Sequence, residues 1–200
     1  NNLTNSQCFQ DLFVCWKLKK KEKGVFVEFG ADNGVLNSNS YLLEKKYNWN
    51  GILIEPNPTI LKELKRNRNC KINNYIITDK TNEIIKFECM KDRQHSRIHK
   101  KSKSQNKNSK IFSVNTITLD DLLLKNKINI GFDFLSIDVE GNEIEVLKGF
   151  DIKYWHPKIV VIEHNYKKDI MKFISEYFIK SGYKKELNLF SFNDFWFTYD

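Results

Sequence analysis

The sequence is short of several features that would settle its class at a glance. Its four cysteines, Cys8, Cys15, Cys70 and Cys89, are scattered and form no C-x-x-C pair. A zinc site is therefore not expected, and the thiols read as reduced, buried packing groups of a cytoplasmic protein. No run approaches the ~18 apolar residues of a membrane span. The opening Asn1-Asn2-Leu3-Thr4 carries no signal-peptide pattern. It also lacks an initiator methionine, which reads as a domain fused to others in a longer chain or as a trimmed form. There is no internal repeat, no obvious linker and no complete G-x-G-x-x-G fingerprint.

What is present suffices for a globular core. Of 200 residues, 40% are hydrophobic and 14% aromatic, the scale of one domain over 1–200. The net charge of +8 permits nucleic acid, an anionic surface or a phosphorylated substrate as partner and demands none of them. Much of the excess is local, in Lys17 to Lys23 and Arg93 to Lys110.

The most informative stretch is Val27-Glu28-Phe29-Gly30-Ala31-Asp32-Asn33-Gly34. An apolar strand runs into an acid and two glycines, and a helical pattern follows from Ser38 to Tyr47. Glycine at such a turn lets a ligand approach bare backbone, as a nucleotide-type cofactor site requires. A second strand, Gly51-Ile52-Leu53-Ile54, ends in Glu55, 25 residues after Gly30 (55 − 30). That spacing suits an acid accepting ribose hydroxyls. The alternative is that the glycines only turn the chain and Glu55 caps a surface loop.

Elsewhere, Phe9, Leu12, Phe13 and Trp16 predict the buried stripe of an amphipathic helix within 1–23. Asn57-Pro58 predicts an N-cap and first helical position, with Ile60, Leu61 and Leu64 facing inward. A third strand is expected over Lys71 to Thr78, and extended segments over Ile84 to Cys89 and Ile111 to Ile117. Between those two lies a basic loop insertion, residues 93–110, without apolar periodicity. It reads as a solvated excursion, a lid or a nucleic-acid patch. Thr118 is a candidate N-cap. Phe132 to Ile137 and Ile159 to Ile162 are further core strands, ending at Asp138 and Glu163-His164-Asn165. A helix follows each, the first closed by Gly149 as a C′ residue and the second stopped near Gly182. Lys184 to Tyr199 reads as two strands joined around Ser191 to Asp194.

Alternating strands and helices predict an open, mostly parallel α/β sheet of seven strands, covered by helices on both faces, with an antiparallel C-terminal hairpin. Ligands of such sheets bind beyond the carboxyl ends of the strands. Four strands here end in acids: Glu28, Glu55, Asp138 and Glu163. Acids gathered in one crevice repel unless a cation or a hydroxyl-rich ligand meets them.

Glu28 to Gly34, Ser38 to Glu44, Trp49 to Pro58, Phe134 to Glu143 and Val146 to Gly149 together resemble the FkbM family of methyltransferases, from about Gly24 to Asn165. The resemblance implies a Rossmann-like, class I methyltransferase fold that uses S-adenosylmethionine. It also implies an O-methyltransferase acting on a sugar hydroxyl of a glycan or small glycoside, rhamnose being one candidate. Carried over residue by residue, Gly30, Ala31, Asp32 and Gly34 form the loop beside the methionine part of the cofactor, with Glu28 and Ser40 near it. Glu55, Pro56 and Asn57 hold the ribose end, and Asp79 contacts adenine. Asp138 and Glu140 face the methyl group. A neutral hydroxyl is a poor nucleophile, so Asp138, Glu163 and His164 are the candidate proton-handling groups. Alternatively Asp138 and Glu163 hold Mg²⁺ or another divalent cation. For His164 the plainer reading is a locally hydrogen-bonded strand-end histidine, and for Glu140 an acid at a helix N-terminus. Two rivals stand beside the sugar reading. One is an RNA 2′-O-methyltransferase, disfavoured by the lack of a Lys-Asp-Lys-Glu tetrad. The other is a non-catalytic glycan-binding or scaffolding module.

Overall fold

A computed structural model describes residues 4–92, 96–99, 109–188 and 191–199. Its centre is a seven-stranded sheet containing β1 (Val25–Phe29), β2 (Asn50–Ile54), β3 (Lys71–Asn73), β8 (Phe134–Ile137), β9 (Ile159–Glu163), β10 (Lys184–Glu186) and β11 (Asp194–Thr198). Their order across the sheet is β10-β11-β9-β8-β1-β2-β3. The first five strands in sequence are parallel; β11 runs antiparallel to β9 and pairs with β10 as a hairpin. Strand order reverses between β1 and β8, the switch point where α/β sheets open a crevice.

Helices cover both faces. Alternate residues of each strand serve opposite layers, as the period of 2 requires. Val27, Ile52, Ile54, Leu135, Ile137, Val160, Ile162, Phe195 and Phe197 pack with α4 (Leu119–Lys125), α5 (Glu143–Lys148), α6 (Ile152–Trp155) and α7 (Lys168–Lys180). Phe26, Leu53, Phe134, Ile159, Val161 and Trp196 face α1 (Gln10–Lys17), α2 (Tyr41–Tyr47) and α3 (Leu61–Asn67). No helix among the described residues is long and apolar enough to cross a membrane. All four cysteines are free thiols, three of them buried.

Several local expectations change. α1 turns its stripe: Phe13, Val14 and Cys15 are buried, whereas Phe9 and Trp16 are 56% and 61% exposed. Buried hydrogen bonds of Gln10 and Asp11 set its rotation, which apolar spacing cannot register. α3 begins at Leu61, later than expected, because the Asn57 carboxamide accepts from the Thr59 N–H and hydroxyl and holds residues 58–60 in a turn. The run Lys71 to Thr78 divides: β3 stays in the main sheet, while β4 (Ile76–Ile77) joins a second sheet. That sheet, unforeseen from sequence, has the order β4-β7-β5-β6, with β5 (Ile84–Met90), β6 (Arg97–Ile98) and β7 (Ser109–Ile117). Two parts of the predicted 93–110 loop therefore lie in strands; 93–95 and 100–108 fall outside the described residues. Gly149 is the α5 C-cap at φ −94°, not a left-handed C′ residue. It is glycine because a Cβ there would come 2.5 Å from the Thr78 carbonyl oxygen. Thr118 does cap α4, accepting from the Asp121 N–H.

Candidate active site

The carboxyl ends of the main sheet open into a cleft of about 360 Å³, inside the range usual for small-molecule sites. Strand register decides what meets there. Phe29 pairs with Ile54 and Glu28 with Ser136, so Gly30 stands beside Glu55 on one side and Asp138 on the other. A Cβ at Gly30 would come 2.5 Å from the Asp138 carbonyl oxygen, and its φ is +68°. Only glycine fits both constraints.

At the Gly30 end, Glu55 is buried. Its oxygens accept from the backbone N–H groups of Asp32 and Asn57, each at 2.8 Å. Each oxygen retains acceptor capacity for a ligand hydroxyl. Gly30, Asp32, Glu55, Pro56 and Asn57 all line the cleft. Opposite them the small sheet contributes Ile76, Ile77, Phe87 and Ile98, an apolar wall.

At the other end, register sets Asp138, Glu163 and Asp194 side by side on one face of three adjacent strands. Burial pushes the Asp138 carboxyl well above its ordinary range, helped by Glu163, Glu140 and Asp194. Burial likewise raises Glu163, to about 7, with Glu140 adding to it. Asp194 is raised by burial too, partly offset by a hydrogen bond from Gln10 at 2.6 Å. Glu163 is clamped by two side-chain amides, Asn165 donating to one oxygen at 2.6 Å and Asn193 to the other at 2.9 Å. The Asp138 Oδ1 is buried and has no hydrogen-bond partner. Oxygens of Asp138, Glu140 and Glu163 lie within 4.8 Å of one another. Three hard oxygen donors at that spacing match the ligand type of a divalent cation. They match a shared proton equally well.

Other expected site residues lie elsewhere. Glu28 points away from the cleft: it accepts from the Asn39 N–H at 2.7 Å and from the hydroxyls of Ser38 and Ser40. Arg68 lies 3.9 Å from it and also donates to Glu44, Ser38, Ser40 and the Gly34 carbonyl. This buried hub pins the segment that presents Asn39, whose amide donates to Ser136 at 2.9 Å in the cleft. Ser40 is fully buried there, and Ala31 is packed in the core. Gly34 is glycine for packing, since a Cβ would meet Leu64 at 2.5 Å and Arg68 at 2.6 Å. Asp79 is exposed, bonded to Thr78 and absent from the cleft lining. The chain leaves the main sheet at β4 and carries it outward.

His164 is corrected to a supporting role. Its Nδ1 accepts from the Tyr166 N–H, so Nε2 carries the proton and donates to the Asp194 carbonyl at 3.1 Å. The ring packs 4.2 Å from Phe195, and burial lowers its pKa. A neutral imidazole with both nitrogens engaged by backbone has no atom left for a substrate proton. Sequence reading missed Arg68, Asp194, Asn193 and Gln10. Arg68 looks like one more cation closing a helix; the others sit at chain positions that only strand pairing joins to Glu163.

The matched family model, the methyltransferase FkbM domain, covers residues 28–185. The chain belongs to the FkbM methyltransferase family. Its members' methyl donor, S-adenosylmethionine, is a nucleoside carrying a ribose diol, and the Gly30–Glu55 half of the cleft presents the bare backbone and the acceptor carboxylate such a group needs. A search of curated proteins returns no match. Among solved structures, the chain is similar to a proposed RNA methyltransferase from Pyrococcus horikoshii, at 13% identity over 95% of this chain and 81% of that one, with TM-score 0.49. It is also similar to a precorrin-6y C5,15-methyltransferase from Geobacter metallireducens, at 16% identity over 88% and 71%, with TM-score 0.48. Fibrillarin from Aeropyrum pernix, solved with S-adenosylmethionine, matches at 11% over 88% and 66%, with TM-score 0.49. The strand order, rather than these likenesses, defines the fold.

Proposed function

We propose that this FkbM methyltransferase transfers the methyl group to a hydroxyl of a neutral, sugar-like acceptor, with a deoxyhexose such as rhamnose among the candidates. The observation that carries this reading is the chemistry of the cleft lining. Its described residues include six carboxylates (Asp32, Glu55, Asp138, Glu140, Glu163 and Asp194) and no Lys, Arg or His, although the chain carries +8 overall. A site of that sign repels phosphates and accepts hydroxyls. Side-chain amides such as Gln7, Asn39, Asn142 and Asn193 add donors and acceptors suited to a polyol. The free thiols fit a reducing, cytoplasmic setting.

In this reading Gly30, Asp32, Glu55, Pro56 and Asn57 hold the cofactor. Bound there, the sulfonium supplies an electrophilic methyl carbon. The residues at the other end align the acceptor oxygen with it, and alignment of this kind is worth up to about 7–11 kcal/mol. Glu163, clamped by Asn165 and Asn193, would take the hydroxyl proton as the methyl carbon exchanges its bond to sulfur for one to the acceptor oxygen, with S-adenosylhomocysteine as the leaving group. Asp138, with its bond-free Oδ1, orients that hydroxyl. A proton acceptor near pKa 7 is well matched to neutral pH. The alternative for the acid group is a divalent cation on Asp138, Glu140 and Glu163 that lowers the acceptor's own pKa.

The test is incubation of the chain with labelled cofactor and a panel of rhamnosides and other glycosides, read by mass spectrometry, with an RNA oligomer beside them. Label in a glycoside supports the reading, and label confined to the RNA overturns it. Full turnover in EDTA assigns the proton to Glu163; loss in EDTA with recovery in Mg²⁺ assigns the acids to a cation. Glu55→Ala removes two charge-assisted hydrogen bonds to the ribose, each worth about 1.5–3 kcal/mol. Cofactor affinity by calorimetry should fall at least tenfold, and an unchanged Kd means the cofactor does not sit at Glu55.

A further inference from the structure

The cleft has a second feature that the transfer reaction does not call for. Phe9, Tyr166 and Phe192 are 56%, 65% and 60% exposed, and all three hold left-handed backbone, at φ +64°, +55° and +48°. Bulky residues rarely adopt this conformation, because the Cβ crowds the backbone. An exposed aromatic ring in such a position gains little from burial to offset the strain, and strain of this kind concentrates at functional sites.

Each of the three is a near neighbour in the chain of a residue that lines the cleft. Phe9 lies between Gln7 and Gln10, Tyr166 follows Asn165, and Phe192 precedes Asn193; all four of these polar residues line the cavity. The segments are tied together. The N–H groups of His164 and Asn165 both donate to the Asn193 carbonyl, at 2.8 and 3.3 Å, and Gln10 bonds Asp194. The strained turns thus do two things at once. They direct polar side chains inward to Glu163 and Asp194, and they leave an aromatic ring outside on the same turn. The polar neighbours that bond Glu163 and Asp194, namely Gln10, Asn165 and Asn193, each adjoin one of the three in the chain.

We propose that Phe9, Tyr166 and Phe192 form an aromatic rim that binds the sugar units flanking the methylated one, so that the acceptor is a neutral glycan chain rather than a free monosaccharide. This rests on the sugar-hydroxyl reading above. Pyranose rings present flat C–H faces that pack on aromatic rings, while their hydroxyls reach the amides and carboxylates below. Nucleobases also stack on aromatics, but the phosphates between them would meet the carboxylate floor, which favours the uncharged chain.

The experiment replaces all three with asparagine, which tolerates left-handed backbone and so removes the rings while keeping the turns. Binding of methyl rhamnoside, of neutral hexasaccharides of rhamnose and mannose, and of a single-stranded RNA hexamer is measured by calorimetry on the wild-type chain and on the F9N/Y166N/F192N variant. The expected result is a hexasaccharide bound at least tenfold more tightly than the monosaccharide by the wild type. In the variant that ratio should fall to about one, with cofactor affinity retained and a melting temperature unchanged or raised. The rim is overturned if no hexasaccharide outbinds its monosaccharide, if the variant keeps the ratio, or if the RNA hexamer binds more tightly than every sugar. A ratio lost in the variant while no glycoside ever acquires methyl leaves the rim standing and removes the reaction assigned to it.

Discussion

Two clusters of acids meet on the same face of one sheet, at neighbouring strands, and they are managed in opposite ways. In the hub, Glu28 and Glu44 surround Arg68, which donates four hydrogen bonds from inside the protein. Burial pushes the Glu44 carboxyl up, but the Asn69 N–H and the Arg68 guanidinium outweigh it and the net direction is down. In the row, Asn165 and Asn193 donate to Glu163 and Gln10 donates to Asp194, while Asp138 and Glu163 share a hydrogen bond with each other, and all three carboxyls are raised. The hub is complete and has a structural task. The row is left without a cation of its own among the described residues, and a proton, a metal ion or a ligand must supply what the protein withholds.

The largest effect expected from breaking this contrast is in the hub. Arg68→Met fills similar volume and leaves Glu28 without its cation and Glu44 with only Lys45, at 3.2 Å, a loss of about 3–5 kcal/mol; chemical denaturation measures it. The reverse is expected in the row. Asp138→Asn should stabilise the metal-free protein at pH 8 by about 1–3 kcal/mol, because it removes one of several charges that repel. The same logic sets a pH dependence. Glu163 holds its proton up to about 7 in the fold against an ordinary 4.5, so the folded state binds more protons between those values. Its contribution to stability is present below pH 4.5 and is lost as pH rises through 7. Melting temperature should fall across that window in wild type and fall less in Glu163→Gln.

A finer probe is Asn193→Ala, which removes one donor from the Glu163 carboxylate and so favours its neutral form. The acid limb of the kcat/KM profile should move upward by about one pH unit, equivalent to about 1.4 kcal/mol; an unmoved limb means Glu163 is not the proton acceptor. The smallest effect is at the surface. Lys17 and Glu186 pair at 2.7 Å, yet Lys17→Ala should cost under about 1 kcal/mol in a melt, since partly exposed pairs are screened.

Much of the cleft lining is legible in the sequence. The turn at Gly30, the acid at Glu55 and the strand-tip acids Asp138 and Glu163 follow from apolar runs that end in acids. Their shared cleft follows from parallel strands, whose carboxyl ends all emerge on one side. Glu28 reads the same way in sequence and has a different fate, because its partner Arg68 is 40 residues away (68 − 28) and meets it only after α3 docks. His164 has the composition of a catalytic base, but its ring lies on the Phe195 side, in the opposite layer from Glu163, since neighbours along a strand point to opposite faces.

What the sequence determined by itself was the succession of strands and helices, the acids at the strand ends and the family, all of them products of local pattern and spacing. What only the tertiary structure decided was which carboxylates meet a cation and which meet only amides and one another, and the split of residues 71–78 between two sheets. Those depend on desolvation and on pairings between distant segments, and neither quantity exists until the chain has closed around them.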